Sequence, residues 1–242
     1  MWNSEIKNNK STGYYFLVQE EGVEPNNNIQ LLDSFNLFNA LSLTNNYSEH
    51  IQFENRIPKG TEHIYGLLHA IKNKLIIEIE YHKFYEDASE KVIVHPYLIK
   101  QFKGRWYLLC QKEEVNAIRT YALDRVITFE IKKKKFSIPK DLDLVNYFNH
   151  CFGIITPDKG KPEKVIFSFD NEQANYIKNY PLHHSQHITK STNSKVTFEV
   201  TTFITYDLIM ELLSYGEEIE IHSPKSLIHQ ISVIAKNILK KY

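Results

Sequence analysis

The sequence predicts an α+β fold, and three observations predict it. Apolar residues recur at helical spacing between Ile29 and Asn73; β-branched strands crowd together between Leu75 and Lys132 with no helix among them; after Lys164 strands and helices alternate. Recurrence every three to four residues marks a helix with one buried face, whereas strict alternation marks a half-buried strand.

In the lead-in, residues 1–28 are polar except for Gly13–Val18. There a glycine followed by aromatic and β-branched residues reads as the return strand of a hairpin. Leu31, Leu32, Phe35, Phe38 and Leu41 make one apolar stripe, so a helix starts at Ile29 and ends at Asn45 and Asn46. A second helix is predicted over Thr61–Asn73, with Ile64, Leu67, Leu68 and Ile71 on one face and Thr61 as its N-cap.

Strands are predicted over 75–83, 91–100, 105–111, 117–123 and 126–132. About five short strands with polar connectors and no intervening helix form a small antiparallel barrel rather than a parallel sheet. Ser137–Lys161 carries Pro139, Pro157 and Gly160 and reads as a connector with a short helix near Leu142–Cys151. Beyond it come strand 164–169, helix 172–178, a hairpin of 187–191 with 195–203, helix 206–214 and strand 217–222. That order, β-α-β-β-α-β, is ferredoxin-like. A closing amphipathic helix carries Leu227, Ile228, Ile231, Ile234, Ile238 and Leu239, with Pro224 in its first turn. The expected domains are residues 1–73, 74–136, 137–162 and 163–242.

Charge and motif content then narrow the function. Basic and acidic residues balance at 29 each, so a surface that grips duplex DNA all round is excluded, because such affinity comes from neutralising phosphates. Cys110 and Cys151 make no disulfide framework, which fits a reducing cytosol. No apolar run nears the ~18 residues of a membrane span, and the first residues lack the apolar core of a secretory signal. A cytoplasmic protein without membrane contact is expected.

A phosphate-cradling glycine loop, a nucleophile elbow and a zinc helix are all missing from the sequence. No enzyme activity and no cofactor are therefore expected. His183, His184 and His187 lie close together, but no carboxylate or cysteine joins them at ligand spacing, so the expectation is exposed histidines and no metal. Lys132–Lys135 reads as a solvated strand end that discourages edge-to-edge pairing. Arg119 and Tyr121 share one strand face by the two-residue period, with Leu123 beside them. Arginine beside an aromatic ring suits an anionic, ring-bearing ligand, since the guanidinium forks to phosphate and the ring stacks on a base. The plainer alternative is a surface salt bridge with a barrel-wall aromatic.

The same stretch resembles the WYL domain family. The triplet stands here as Trp106-Tyr107-Leu108, preceded by Gly104. Around it lie Tyr81-His82, Pro96-Tyr97-Leu98 and the run Arg119–Arg125, an ordered set over about fifty residues. The C-terminal part is similar to the extension that accompanies these domains, in Leu212–Gly216, His222-Ser223-Pro224 and the helix that ends at Tyr242. The resemblance implies an Sm/SH3-like barrel and a ferredoxin-like extension. It also implies the ligand-sensing, homodimerising region of a bacterial transcriptional regulator, with operator DNA bound by a helix-turn-helix.

The effector it implies is a nucleotide or single-stranded nucleic acid, held by Tyr81, His82, Arg105, Tyr107, Arg119 and Arg125. Tyr121 joins them from the strand-face reading. His82 stands where the family commonly has arginine. No complete helix-turn-helix is visible, and residues 1–20 read as the remnant of a wing hairpin. The alternative function is a protein-interaction or accessory module that binds no small ligand.

Overall fold

The structure, a computed structural model, describes residues 4–9, 14–19, 56, 58–157 and 159–242. The chain divides into Met1–Ile57 and Pro58–Tyr242. In the first unit β1 (Ser4–Asn9) and β2 (Tyr14–Gln19) form an antiparallel hairpin, Ser4 opposite Gln19 and Asn9 opposite Tyr14. The return strand expected over Gly13–Val18 is β2. The helix expected from Ile29 lies outside the described residues.

The second unit begins with a 3-10 turn, Thr61–His63, that runs into helix α1 (Ile64–Lys72). Thr61 was expected to cap this helix, and it does not. The chain turns in on Gly60, in the left-handed region at φ 86°, and His63 occupies the cap position of α1. Leu67 and Ala70 are buried while Leu68 faces outward. The face of α1 that packs therefore sits one position away from the predicted stripe at that point.

Five strands follow: β3 (Leu75–Tyr81), β4 (Glu90–Phe102), β5 (Arg105–Lys112), β6 (Ala117–Ala122) and β7 (Val126–Lys135). They pair antiparallel in the order β6-β5-β4-β3-β7. The β4–β5 turn is made by Lys103 and Gly104, both at positive φ, as two-residue hairpin loops require. Pro96 sits where the β4–β5 register shifts, a place where its missing N–H costs no ladder bond. Ile77, Ile79, Val92, Val94, Leu108 and Leu123 bury one face beneath α1. Ile76, Tyr97 and Phe136 form a smaller core on the other, with Leu142 and Leu144 from the connector.

The expected small barrel is not closed by hydrogen bonds. β6 and β7 are both sheet edges, because a 3-10 turn, Leu123–Arg125, separates them and β7 goes on to pair with β3. The short helix expected near Leu142–Cys151 is also replaced by turns. The Asp143 carboxylate accepts the backbone N–H of Val145 and Asn146 and the side-chain amide of Asn146. Local side-chain bonds of this kind compete with helix formation.

The C-terminal part comprises β8 (Glu163–Asp170), α2 (Asn171–Asn179), β9 (His187–Ser191), β10 (Lys195–Thr202), α3 (Tyr206–Ser214), β11 (Glu220–Ser223) and α4 (Lys225–Leu239). Its antiparallel sheet runs β11-β8-β10-β9. Phe167, Phe169, Phe198, Leu208, Leu212 and Leu227 fill its core. Asp170 caps α2 by accepting the Gln173 N–H at 2.8 Å. Pro224 was expected inside the first turn of the last helix and instead stands at its N-cap.

The connector joins the two sheets through Asp207. Its carboxylate, in the first turn of α3, accepts the N–H groups of Ile154 and Ile155 at 2.9 and 3.0 Å. A Cβ at Gly153 would fall 2.4 Å from that carboxylate, so only glycine fits. Phe102 packs edge-on against Phe152, and Lys103 pairs with Glu211 at 2.6 Å. Asp207→Ala leaves two backbone donors unsatisfied and is expected to cost about 1–3 kcal/mol, read from the urea midpoint of the whole chain. An unchanged midpoint would show that the connector is held elsewhere.

Candidate functional site

Three residues of the turn after β6 and the last residues of β3 build the site. Arg125 ends the 3-10 turn, and its carbonyl accepts the His82 N–H at 3.0 Å, so the two segments are fixed side by side. Its guanidinium lies 5.5 Å from the centroid of Tyr81 and 4.9 Å from that of Phe84. Such stacking holds the cation in place without spending its hydrogen-bond donors. The Arg125 Nε is buried and has no hydrogen-bond partner among the described residues. A cleft of about 370 Å³ opens here, with Lys59, Glu62, His82, Phe84, Asp124 and Arg125 in its lining. That volume lies in the range of small-molecule sites.

The tyrosines are packed in the sheet, and Tyr81 meets the cleft only through the guanidinium of Arg125. Tyr81 is buried and packs edge-on against Tyr121, ring centroids 4.7 Å apart. Tyr107 is buried as well. Burial pushes the phenols of Tyr81, Tyr107 and Tyr121 up from their ordinary value, so all three are neutral. Arg105 is paired with Asp124 at 2.5 Å and lies 5.8 Å from the Tyr107 ring.

Among the seven residues singled out in the sequence, His82 and Arg125 line the cleft. Tyr81, Tyr107 and Tyr121 lie in the packing of this sheet, and Arg105 reaches it through Asp124. Arg119 does not join them. Its side chain is exposed and donates to the neighbouring Ile118 carbonyl at 2.9 Å. The two-residue period did place Arg119 and Tyr121 on one face, yet only Tyr121 reaches the core.

Two family models match the chain, the WYL domain over residues 62–131 and the WCX domain over residues 161–239. Between them they cover well over half of it. This is a WYL domain-containing protein. The matched WYL segment holds the five strands and the cleft turn, and the WCX segment holds the second sheet and α4.

No curated protein matches the chain. Among solved structures, proteasome accessory factor B/C of Arthrobacter aurescens is 16% identical with a TM-score of 0.33, over 79% of this chain and 29% of its own. A CRISPR Cas-related protein is 13% identical with a TM-score of 0.47, over 76% of this chain and 52% of its own. The chain thus spans under a third of the one and about half of the other.

Several cleft residues escaped the sequence reading. Phe84 belongs to the β3–β4 connector, where two adjacent aromatics, Phe84 and Tyr85, break an otherwise polar run, and that signal was available. Lys59 and Glu62 come from the lead-in to α1, and nothing local announces that they meet Arg125.

The histidine cluster of the WCX domain is divided. His187 faces Glu199, whereas His183 and His184 pack with ring centroids 4.1 Å apart and planes tilted by 38°. Among the described residues no three His, Cys, Asp or Glu side chains are placed to hold a metal. His183 is buried, its Nδ1 2.7 Å from Ser185 Oγ, and contrary to expectation it is not a surface residue. Burial, aided by His184, pushes its pKa from 6.5 down to about 4.

The unfolded chain therefore takes up this proton more readily than the folded one. The contribution of His183 is complete above pH 6.5 and is lost as the pH falls towards 4. Wild-type stability should drop by about 1–3 kcal/mol more than that of His183→Gln across this window, followed by urea denaturation at stepped pH. Parallel profiles would count against it.

Proposed function

We propose that this WYL protein is the ligand-sensing, dimerising region of a bacterial transcriptional regulator. Its effector is anionic, a nucleotide or a single-stranded nucleic acid, and it binds the cleft at Arg125. The observation that carries this reading is the Arg125 guanidinium stacked on Tyr81 and Phe84, with an unused buried donor and with Lys59 and His82 beside it. A phosphate accepts from Arg125 and Lys59, and a base stacks on Phe84, whose ring is 64% exposed. Glu62 and Asp124 keep the cleft from being purely cationic, which favours a ligand that offers donors as well as a phosphate.

The architecture supports the same reading. The five-stranded sheet, with β7 beside β3 at one edge, is read as an open Sm-like barrel. The WCX sheet, with β8 and β10 central, is read as ferredoxin-like. In this scheme two chains associate through their C-terminal extensions, and operator DNA is met by a helix-turn-helix. An effector shifts such a dimer only by binding one of its arrangements better than the other.

Arg125 and Arg119 separate this from a generic basic surface. Arg125→Ala should weaken binding of ATP or of a 5′-phosphorylated thymidylate pentamer by about tenfold or more, the scale of a lost charged hydrogen bond. Arg119→Ala should change it by less than about threefold, the small effect of an exposed charge. Fluorescence anisotropy at two salt concentrations measures both. Equal losses, or none, would sink the cleft assignment and favour a protein-interaction module.

A further inference from the structure

The chain that leads into α1 is fitted to the Arg125 turn at three successive points. At Gly60 a Cβ would lie 2.3 Å from the carbonyl carbon and oxygen of Leu123 and 2.7 Å from the Asp124 nitrogen. Backbone rests on backbone there, and the φ of 86° also demands glycine. Three residues on, His63 Nε2 donates to the Val126 carbonyl at 3.0 Å, and its ring stands edge-on to Phe129 at 5.7 Å. Three further, a Cβ at Gly66 would meet the tip of the Phe129 ring at 2.7 Å. Residues 60, 63 and 66 thus track 123–129 along one side of the helical lead-in.

The same turn is tied on its other side to His82. Its position is set by β3 on one flank and by residues 60–63 on the other. Lys59 and Arg125 both line the cleft, so across it one cation belongs to the lead-in and the other to the turn. An anion that accepts from both Lys59 and Arg125 would tie the lead-in to the turn, in a cleft that also holds Glu62 and Asp124. Residues 58–63 also follow Ile57 directly, where the first unit of the chain ends.

We propose that Gly60 and His63 are positioning residues that form a latch, coupling effector occupancy of the cleft to the ordering of residues 58–63. This rests on the reading of the cleft given above. The coupling is reciprocal: whatever the effector does to the latch, fixing the latch does to effector affinity. Effector binding is thereby felt where the second unit begins, at Pro58.

The test measures amide hydrogen exchange over residues 58–63 in the full chain, with ATP and with the 5′-phosphorylated thymidylate pentamer. In the wild type the bound probe should slow exchange there by about fivefold or more. His63→Leu keeps the packing on Phe129 but removes the bond to Val126. It should lose most of the slowing and weaken probe binding by about the same factor, about fivefold, while His63→Gln, which retains a donor, should restore both.

Gly60→Ala should displace the turn and weaken binding. A probe whose binding depends on Arg125 but leaves exchange over 58–63 as in the free protein would overturn the latch and leave the cleft reading standing. If neither probe binds, the cleft reading falls and the latch with it.

Discussion

Strands β6 and β7 follow one another in the chain, yet they occupy opposite edges of the five-stranded sheet. At ~4.8 Å between neighbours, a flat sheet of this size would hold its edges about 19 Å apart. Only Leu123, Asp124 and Arg125 connect them, wound in a 3-10 turn that rises about 2 Å per residue. The sheet must therefore curl until its edges nearly meet, although no hydrogen bonds close it. That curl gathers Ile77, Ile79, Val94, Leu108 and Leu123 into one core. It also lifts Arg125 onto the rim, above the buried tyrosines.

The short connection decides which charged groups are free. Asp124 turns to Arg105, and that pair occupies one arginine of the family pattern. Arg125 turns to the rings of Tyr81 and Phe84, and its buried Nε is left without an acceptor among the described residues. Two neighbouring residues of one turn thus divide the work of holding the fold and of facing the cleft. Asp207 holds the sheets together through the connector's backbone N–H groups and not through any side chain there.

The strands were legible in the sequence because each alternates and each is bounded by polar or glycine-bearing turns. The order β-α-β-β-α-β of the C-terminal part was legible for the same reason. What local pattern could not supply was distance along the chain. Lys59 and Gly60 meet a turn more than sixty residues later, and His63 bonds a carbonyl 63 residues away. Arg119 was read beside Tyr121 by parity, which is right about the face and silent about depth. The short helix at Leu142–Cys151 failed because Asp143 offers the backbone nearer partners than a helix would. Whether the barrel closes was not legible either, because edge pairing is not specified by strand count.

The latch also bears on how the protein is made. One wall of the cleft is translated with Lys59 and Gly60, the other only with Arg125 and the β7 strand that anchors it against β3. Contacts so far apart in sequence form late, because the loop between them must close first. A nascent chain that ends within β5 already carries the rings of Tyr81 and Phe84 but not the Arg125 that stacks on them. The cleft is therefore a property of the finished sheet, and any molecule bound there would stabilise the whole five-stranded unit rather than one hairpin of it.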